Sequence, residues 1–354
     1  MKITDVQGFT VELPAYQFYS SDQKQSFREW TLVKVSTDAD IYGYAMCPRG
    51  AIARDVVHRI IKPLAVGENA LLKEKLWQKM WHVDRSEQIP NYTFSMLDIC
   101  LWDITAKAAG MPLYQLLGGT RDKIPAYAST VCYRDIAEFL DVADQSKARG
   151  FHGLKLHAFQ DARKDAKLAL ALRAHVGDDY PLMYDASGIY SYADAVYLGR
   201  ALEEAGFAWF EEPMNENSIS SYKRLCDELT IPILAGEMSQ GKHYNAADFI
   251  VSGAADIIRV NVRNKGGFTG ALRIAHFADS LRMNAEVHGG ELIQLQLALA
   301  IPNTSMLESI IYSNPIVNDE PIDAEGYAHA PEHLGIGYDP EWLKHLEATS
   351  IAWV

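Results

Sequence analysis

Residues 208–237 read AWFEEPMNENSISSYKRLCDELTIPILAGE, and this stretch contains the repeat on which the fold depends. An apolar run ends in acidic residues, an amphipathic segment follows, and a second apolar run ends in another acid. Such alternation is typical of parallel β-strands that are joined by helices. The stretch therefore predicts one βα unit followed by the next strand.

The same pattern extends in both directions from about residue 125. The apolar runs are PAYAST (125–130), GLKLHA (153–158), PLMYDAS (181–187), AWFEEP (208–213), PILAGE (232–237), DIIRVN (256–261), NAEVH (284–288) and SMLES (305–309). Eight runs with helices between them favour a closed barrel, because an open doubly wound sheet would usually carry an early Gly-rich phosphate loop. We predict an α/β fold with its barrel over residues 125–325.

The N-terminal part has a different character. Residues 2–13 and 30–47 predict strands, with a turn near Asp38 to Gly43, and residues 51–82 predict helices. We therefore expect an α+β domain over residues 1–124, to which residues 326–354 return. The chain of 354 residues and 39.5 kDa has room for a barrel of roughly 250 residues and an extra domain.

The net charge of -13 at pH 7 argues against nucleic acid and anionic membranes, because both require a basic face. We expect a small-molecule partner. If that molecule is an anion, a local cluster of cations must reverse the repulsive field at the site.

The N-terminal sequence MKITDVQGFTVELP alternates like a strand and has no long apolar stretch after a basic start, so we expect no signal peptide. The cysteines form no CxxC pair and predict buried thiols in a reducing compartment. They are Cys47, Cys100, Cys132 and Cys226. We expect a cytoplasmic protein.

Polar residues at the ends of the apolar runs are the candidate site. They are Lys155, Asp185, Glu211, Glu237, Asn261, His288 and Glu308. In a barrel of this kind the carboxyl ends of the strands form one face, so these side chains should converge although they are distant in sequence.

Three carboxylates among them predict a metal site. Asp185, Glu211 and Glu237 follow one another in equal steps of 26 residues (211 − 185 and 237 − 211). At ~4 Å and an effective dielectric constant near 20, each like-charged pair costs about 4 kcal/mol. A divalent ion removes that cost, and oxygen ligands favour Mg²⁺, with Mn²⁺ as an alternative.

Further segments carry a resemblance to a known family. LWDITAKAAGMPLYQLLGG (101–119), FEEP (210–213), AGE (235–237) and KGGFTG (265–270) together resemble the mandelate racemase-like branch of the enolase superfamily (the mandelate racemase/muconate lactonizing enzyme family). The resemblance extends to about residue 330. It implies a (β/α)7β TIM-like barrel with an α+β capping domain, one Mg²⁺, a homo-oligomer, and removal of the proton next to a carboxylate to give an enediolate.

The resemblance also implies roles for single residues. Asp185, Glu211 and Glu237 match the metal ligands. Glu212 is similar to the neighbouring acid, which usually lies behind the ligands without binding the metal directly. Glu308 matches a protonated carboxyl group beside the substrate carboxylate. Lys155 and His157 stand where the family has Lys-x-Lys, and Asn261 and His288 stand where it has an Asp-His dyad. Lys155 either assists as a base of lowered pKa or holds the substrate carboxylate, and we favour holding.

These departures favour dehydration over racemisation. A racemase requires two matched bases, whereas loss of water from a sugar acid requires a base and then an acid. Since Asn261 adds no charge, we expect His288 to stay mostly neutral and act as the base, with His157 or a metal-bound water as the acid. The alternatives are an epimerase or racemase, a lactone cycloisomerase, and a metal-binding homologue without catalysis.

The resemblance implies that loops of the capping domain, about residues 16–28 and 47–53, contact the substrate. They offer hydroxyl and cationic groups suited to a sugar acid, namely Tyr16, Tyr19, Arg28 and Arg49. Arg263 and Lys265, in the loop after the sixth strand, are candidates for further positive charge.

Overall fold

The N-terminal part begins with a three-stranded antiparallel sheet. In the computed structural model, which describes residues 1–15, 26–317 and 320–351, its strands are β1 (Ile3–Ala15), β2 (Ser26–Thr37) and β3 (Tyr42–Pro48), in the order β1-β2-β3. One face is buried, because apolar residues such as Val33 and Val35 alternate along β2. The turn between β2 and β3 occupies residues 38–41, within the predicted region.

Helices cover the buried face of this sheet. A first helical stretch comprises α1 (Gly50–Val56), a π-helical segment (Val57–Ile61) and α2 (Lys62–Ala65), followed by α3 (Lys73–Glu87), α4 (Asn91–Ala108) and α5 (Leu113–Leu116). α4 is buried on nearly all sides because it lies between β3 and a helix of the barrel. It thus joins the two parts of the molecule.

Seven βα units and a final strand follow. The elements are β4 (Lys123–Ser129), α6 (Ile136–Ala148), β5 (Leu154–Leu156), α7 (Ala162–Val176), β6 (Leu182–Asp185), α8 (Tyr192–Glu204), β7 (Phe210–Glu211), α9 (Ile219–Glu228), β8 (Ile233–Ala235), α10 (Lys242–Ser252), β9 (Ile257–Val260), α11 (Gly267–Ser280), β10 (Ala285–Val287), α12 (Leu292–Ala300) and β11 (Leu307–Ile310). Each of the eight apolar runs forms a strand. Asp or Ser side chains cap the first four helices by accepting a backbone N–H, at Asp135, Asp161, Ser191 and Ser218.

The eight strands are parallel neighbours in the order β10-β9-β8-β7-β6-β5-β4-β11. At the two ends of this curled sheet, Val287 N donates to Thr304 Oγ1 (3.3 Å) and Gly289 N donates to Glu308 Oε2 (2.8 Å). These bonds join β10 to the segment that contains β11. The prediction of a (β/α)7β TIM-like barrel with an α+β capping domain is confirmed.

The C-terminal segment lies against the barrel and then against the N-terminal sheet. β12 (Tyr327–His329) pairs antiparallel with β4, and α13 (Pro340–Ala348) contacts β1. Leu343 and Leu346 of α13 pack on Val11, Leu32 and Met46. The domain boundaries at residues 124 and 325 stay a prediction.

Two sequence expectations concern the environment of the chain. All four cysteines are free; Cys47 and Cys100 are buried as expected, whereas Cys132 and Cys226 are partly exposed. Within the described ranges, none of the helices combines the length and the apolar character needed to cross a membrane.

Candidate active site

The candidate site lies at the carboxyl ends of the barrel strands. Asp185 and Glu211 are the last residues of β6 and β7, whereas Glu237 lies two residues beyond β8. Lys155 lies within β5 and Glu308 within β11. Because neighbouring parallel strands end at the same edge, these side chains face one another across the barrel mouth.

Lys155 is fully buried at the centre of the carboxylates. Its Nζ lies 3.1 Å from Asp185 Oδ2, 2.7 Å from Glu211 Oε2 and 2.7 Å from Glu308 Oε1. Burial alone would lower the pKa of Lys155, but Glu211 and Glu308 outweigh it and hold this pKa well above its usual value. This direction favours the role of holding the substrate carboxylate over that of a base, and both roles of Lys155 stay predictions.

Arg259 is a second buried cation, which the sequence reasoning missed. Its Nε lies 2.8 Å from Glu211 Oε1, and its Nη2 lies 2.5 Å from Glu308 Oε2 and 3.2 Å from Tyr127 Oη. A signal was present, because Arg259 interrupts the apolar run DIIRVN and precedes Asn261 by two residues, which places both on the same side of the strand.

The contacts of Glu308 favour an ionised carboxylate over the protonated group that the resemblance implies, and that call stays a prediction. One carboxylate oxygen accepts from Lys155, and the other accepts from Arg259 and from Gly289 N at 2.8 Å. Burial would raise the pKa of Glu308, but Lys155 and Arg259 bring it well below its usual value. A proton on either oxygen would displace one of these donors.

His157 lies on the β5 side of the cluster. Its Nε2 is 3.0 Å from Asp185 Oδ2, and its Nδ1 is 2.7 Å from Thr130 O. Both of these partners are acceptors, so only the imidazolium form donates to both at once.

His288 lies on the opposite, β10 side. Its Nδ1 is 3.0 Å from Glu237 Oε2 and 3.4 Å from Glu308 Oε2, and its side chain is 28% exposed. Burial disfavours the imidazolium, but Glu237 and Glu308 outweigh this effect and raise the pKa of His288. Glu237 thus supplies the negative charge that Asn261 lacks, and the neutral state expected for His288 stays a prediction.

Asn261 contacts Glu237 and the backbone around it. Its Nδ2 donates to Glu237 Oε1 at 3.3 Å, and its Oδ1 accepts from Arg263 N at 3.0 Å and from Gln294 Nε2 at 3.0 Å. Within the described chain its hydrogen bonds do not include His288. Asn261 is therefore connected to His288 through Glu237.

A second group of buried charges lies beside the first. Glu212, Glu216 and Lys265 are each less than 10% exposed. Burial raises the pKa of Glu212 well above its usual value, and Glu216 and Glu237 add to the effect. Burial lowers the pKa of Lys265 to about 8 in spite of Glu216. Lys265 is thus part of the interior and not a cation on an exposed loop.

The charges of the first cluster fit a divalent cation. Four carboxylates, Asp185, Glu211, Glu237 and Glu308, meet two permanent cations, Lys155 and Arg259, which leaves two negative charges. Burial, with repulsion from Asp185 and Glu308, raises the pKa of Glu211 to about 7, as expected where negative charge is in excess. Glu211 Oε1 is also buried without a hydrogen bond of good geometry.

Lys155 and Arg259 lie between these carboxylates. Over residues 1–15, 26–317 and 320–351, no group of three or more His, Cys, Asp or Glu side chains is already arranged around a common metal position. The donor types and the charge of Asp185, Glu211 and Glu237 nevertheless fit Mg²⁺.

Two of the four capping-domain candidates lie within the described residues. Arg28, in β2, and Arg49, at the start of α1, are exposed. Tyr16 and Tyr19 lie outside the described residues. Arg263 pairs with Glu291 at 2.6 Å, so its charge is already partnered.

Two family models match the chain. The model described as mandelate racemase / muconate lactonizing enzyme, N-terminal domain, matches residues 6–118, and the model described as enolase C-terminal domain-like matches residues 138–344.

Characterised relatives and solved structures match over most of the chain. An arabinonate dehydratase of Saccharolobus solfataricus is 30% identical over 80% of this chain and 79% of that protein. A D-galactarolactone cycloisomerase of Agrobacterium fabrum is 28% identical over 96% and 91%. A crystal structure of D-glucarate dehydratase from Agrobacterium tumefaciens complexed with magnesium superposes with a TM-score of 0.90 at 32% identity, covering 99% of this chain and 100% of that chain.

Proposed function

The chain belongs to the enolase superfamily, in the family of mandelate racemase and muconate lactonizing enzyme, and we propose that it is a Mg²⁺-dependent dehydratase that converts a sugar acid to a 2-keto-3-deoxy acid. Relatives named as dehydratases of arabinonate and of L-talarate/galactarate support this reaction class. Structural neighbours with magnesium bound support the metal.

The observation that carries the proposal is the placement of two unlike proton-transfer groups. His157 approaches the cluster from β5 through Asp185, and His288 approaches it from β10 through Glu237. Dehydration requires one group that takes the proton next to the carboxylate and another that gives a proton to the departing hydroxyl. The differing partners of the two rings suit these two tasks.

Asp185, Glu211 and Glu237 are the residues that would hold Mg²⁺, with Mn²⁺ as the alternative. When bound, the ion stabilises the negative charge that develops on the substrate carboxylate as the neighbouring proton leaves. The three carboxylates repel one another, so a bound divalent ion would lower the electrostatic free energy of the site.

The base in this proposal is His288. Its Nε2 takes the proton next to the carboxylate, and Glu237, at Nδ1, orients the ring and stabilises the imidazolium that forms. Lys155 remains protonated and contributes positive charge where the enediolate forms. In these roles Glu237 pairs with the catalytic histidine, a function that an aspartate has in relatives of the racemase type.

The acid in this proposal is His157. Thr130 O fixes the ring at Nδ1, and the proton on Nε2 is the one given to the departing β hydroxyl. The pair of proton transfers and the loss of water together give an enol that becomes the 2-keto-3-deoxy acid.

A second candidate is lactone cycloisomerisation or epimerisation of a sugar acid. It uses the same metal and base but keeps every atom of the substrate. The cycloisomerase relative, which matches 96% of this chain, favours keeping this alternative. Product mass separates the two reactions, because dehydration removes one water.

A substrate screen tests the proposal. The purified protein is incubated with Mg²⁺ and with mono- and diacid sugars and their lactones, and the products are assayed for 2-keto-3-deoxy acids. We expect at least one sugar acid to be dehydrated, with activity lost on chelation and in Glu237→Gln. Products that retain all substrate atoms would support cycloisomerisation or epimerisation instead. Full activity of Glu237→Gln would refute the metal assignment.

A further inference from the structure

Glu237 differs from the other two expected metal ligands in how its backbone is held. Asp185 and Glu211 are strand residues, and the parallel ladder pairs them with each other. β8 ends at Ala235, so Glu237 lies in a loop beyond the ladder. The position of its carboxylate therefore depends on what fixes residues 236–239.

Glu216 fixes the first part of this loop. It follows β7, is 7% exposed, and accepts hydrogen bonds from Gly236 N and, at 2.7 Å, from Met238 N. Each of its two carboxylate oxygens accepts one of these bonds. Glu216 thus binds the N–H groups on either side of Glu237, which a longer β8 would have offered to a neighbouring strand.

Lys265 fixes the end of the same loop. Its fully buried Nζ donates to Ser239 O at 2.8 Å and to Ser239 Oγ at 2.9 Å. The next residue, Gly266, accepts from Trp77 Nε1 at 2.8 Å and donates to Ser95 Oγ at 3.1 Å. Because Trp77 and Ser95 belong to α3 and α4, Lys265 is anchored to the capping domain.

We propose that Glu216 and Lys265 are positioning residues that hold the loop at residues 236–239 so that Glu237 reaches the metal. The proposal rests on the Mg²⁺ site proposed above. Groups that orient metal ligands from behind commonly change metal affinity by about 10- to 100-fold when they are replaced. Both side chains are buried, so their replacement leaves Gly236 N and Ser239 O without these hydrogen bonds, which is costly in an interior.

The test measures Mg²⁺ affinity by calorimetry and amide hydrogen exchange in the metal-free protein. Glu216→Gln keeps the shape of the side chain but loses one acceptor, and Lys265→Met removes both donations to Ser239. We expect about 10- to 100-fold weaker Mg²⁺ binding in each, with faster exchange at Gly236 and Met238 in Glu216→Gln. If Lys265→Met does not fold, Ser239→Ala removes one of the two acceptors and should weaken binding by a smaller factor.

Asp165→Asn is the matched control. Asp165 is also buried and also accepts two loop N–H groups, from Phe159 at 2.9 Å and Asp161 at 3.0 Å, but its loop carries none of the expected metal ligands. Its Mg²⁺ affinity should stay within about twofold of the wild type. Unchanged affinity in Glu216→Gln and Lys265→Met, when the wild type binds and Glu237→Gln does not, overturns the positioning role alone. A wild-type protein that does not bind Mg²⁺ overturns both proposals.

Discussion

Lys155 pairs with three of the carboxylates around it, Asp185, Glu211 and Glu308. Removing one partner from a buried ion pair leaves the other charges without compensation, which commonly costs about 3–5 kcal/mol. We therefore expect Lys155→Met to lower the free energy of unfolding by about that amount, measured by urea denaturation in the presence of a chelator. A loss below about 1 kcal/mol would contradict the charge balance described for the site.

Lys164→Met is the control for this measurement. The Lys164 side chain is 68% exposed and lies 4.0 Å from Asp161. Exposed pairs of this kind contribute little, so the free energy of unfolding should change by less than about 0.5 kcal/mol.

Replacing each of the two histidines by asparagine should impair a different step of the reaction. His288→Asn should lose exchange of the proton next to the carboxylate with deuterium oxide by about 10²- to 10⁴-fold, because it removes the base. His157→Asn should retain this exchange and lose the elimination of water. Proton NMR of the reaction with a sugar acid that the wild type dehydrates measures both the exchange and the elimination. The Mg²⁺ affinity of each variant is the control for folding. Exchange retained in His288→Asn but lost in His157→Asn would reverse the roles.

At the residue scale, the sequence predicted the side chains that end apolar runs. Asp185, Glu211 and His288 were found because alternation and strand length fix where a run ends. Arg259 was missed because a charged residue inside an apolar run looks like an interruption and not like part of a site. Glu216 was missed, and Lys265 was expected only as an additional positive charge, because contacts between loops have no periodic signal.

At the scale of elements, all eight barrel strands were predicted because each is an apolar run between amphipathic helices. The length of β8 was not predicted, because a strand of three residues and a strand of five residues have the same sequence pattern here. The partner of His288 illustrates the consequence. Glu237 reaches His288 because it lies beyond the strand, so spacing alone could not identify it.

The junction of α3, α10 and α11 has a predicted pH dependence. Burial first, and then Arg273, lowers the pKa of His243 to about 4. The unfolded state therefore binds more protons between pH 4 and 6.5, so stability falls as pH decreases through this range. We expect a loss of about 1 to 3 kcal/mol after allowing for solvent screening.

His243→Phe isolates this effect. It retains an aromatic ring beside Trp77 and Tyr244 but cannot be protonated. The free energy of unfolding is measured for both proteins at pH 7 and pH 4.5. Lowering the pH should decrease it more in the wild type than in the variant. A difference that does not change with pH would contradict the lowered pKa.

At the scale of the whole molecule, the net charge of -13 opposes an anionic substrate. Added salt screens this repulsion, because the Debye length is about 10 Å at 0.1 M ionic strength. With Mg²⁺ kept saturating, we expect kcat/KM for a sugar acid to rise by up to about tenfold between low and physiological salt. A fall with salt would show that the cations of the site dominate the encounter.

The barrel was predictable because its βα unit repeats along the chain. Contacts outside this repeat were less predictable. The contact of α13 with the N-terminal sheet depends on Leu343 and Leu346, which meet residues more than 290 positions earlier in the chain. Such contacts do not have a local pattern. The oligomeric state likewise stays a prediction that follows from the family resemblance.

The reaction of a sugar acid with the Mg²⁺-loaded enzyme in deuterium oxide tests dehydration most directly. We predict a 2-keto-3-deoxy acid that has lost one water and carries one deuterium at C3, because the enol formed by elimination takes its new proton from the solvent. Mass spectrometry and NMR of the product measure both features. A product that has gained deuterium next to its carboxylate without losing water would contradict dehydration.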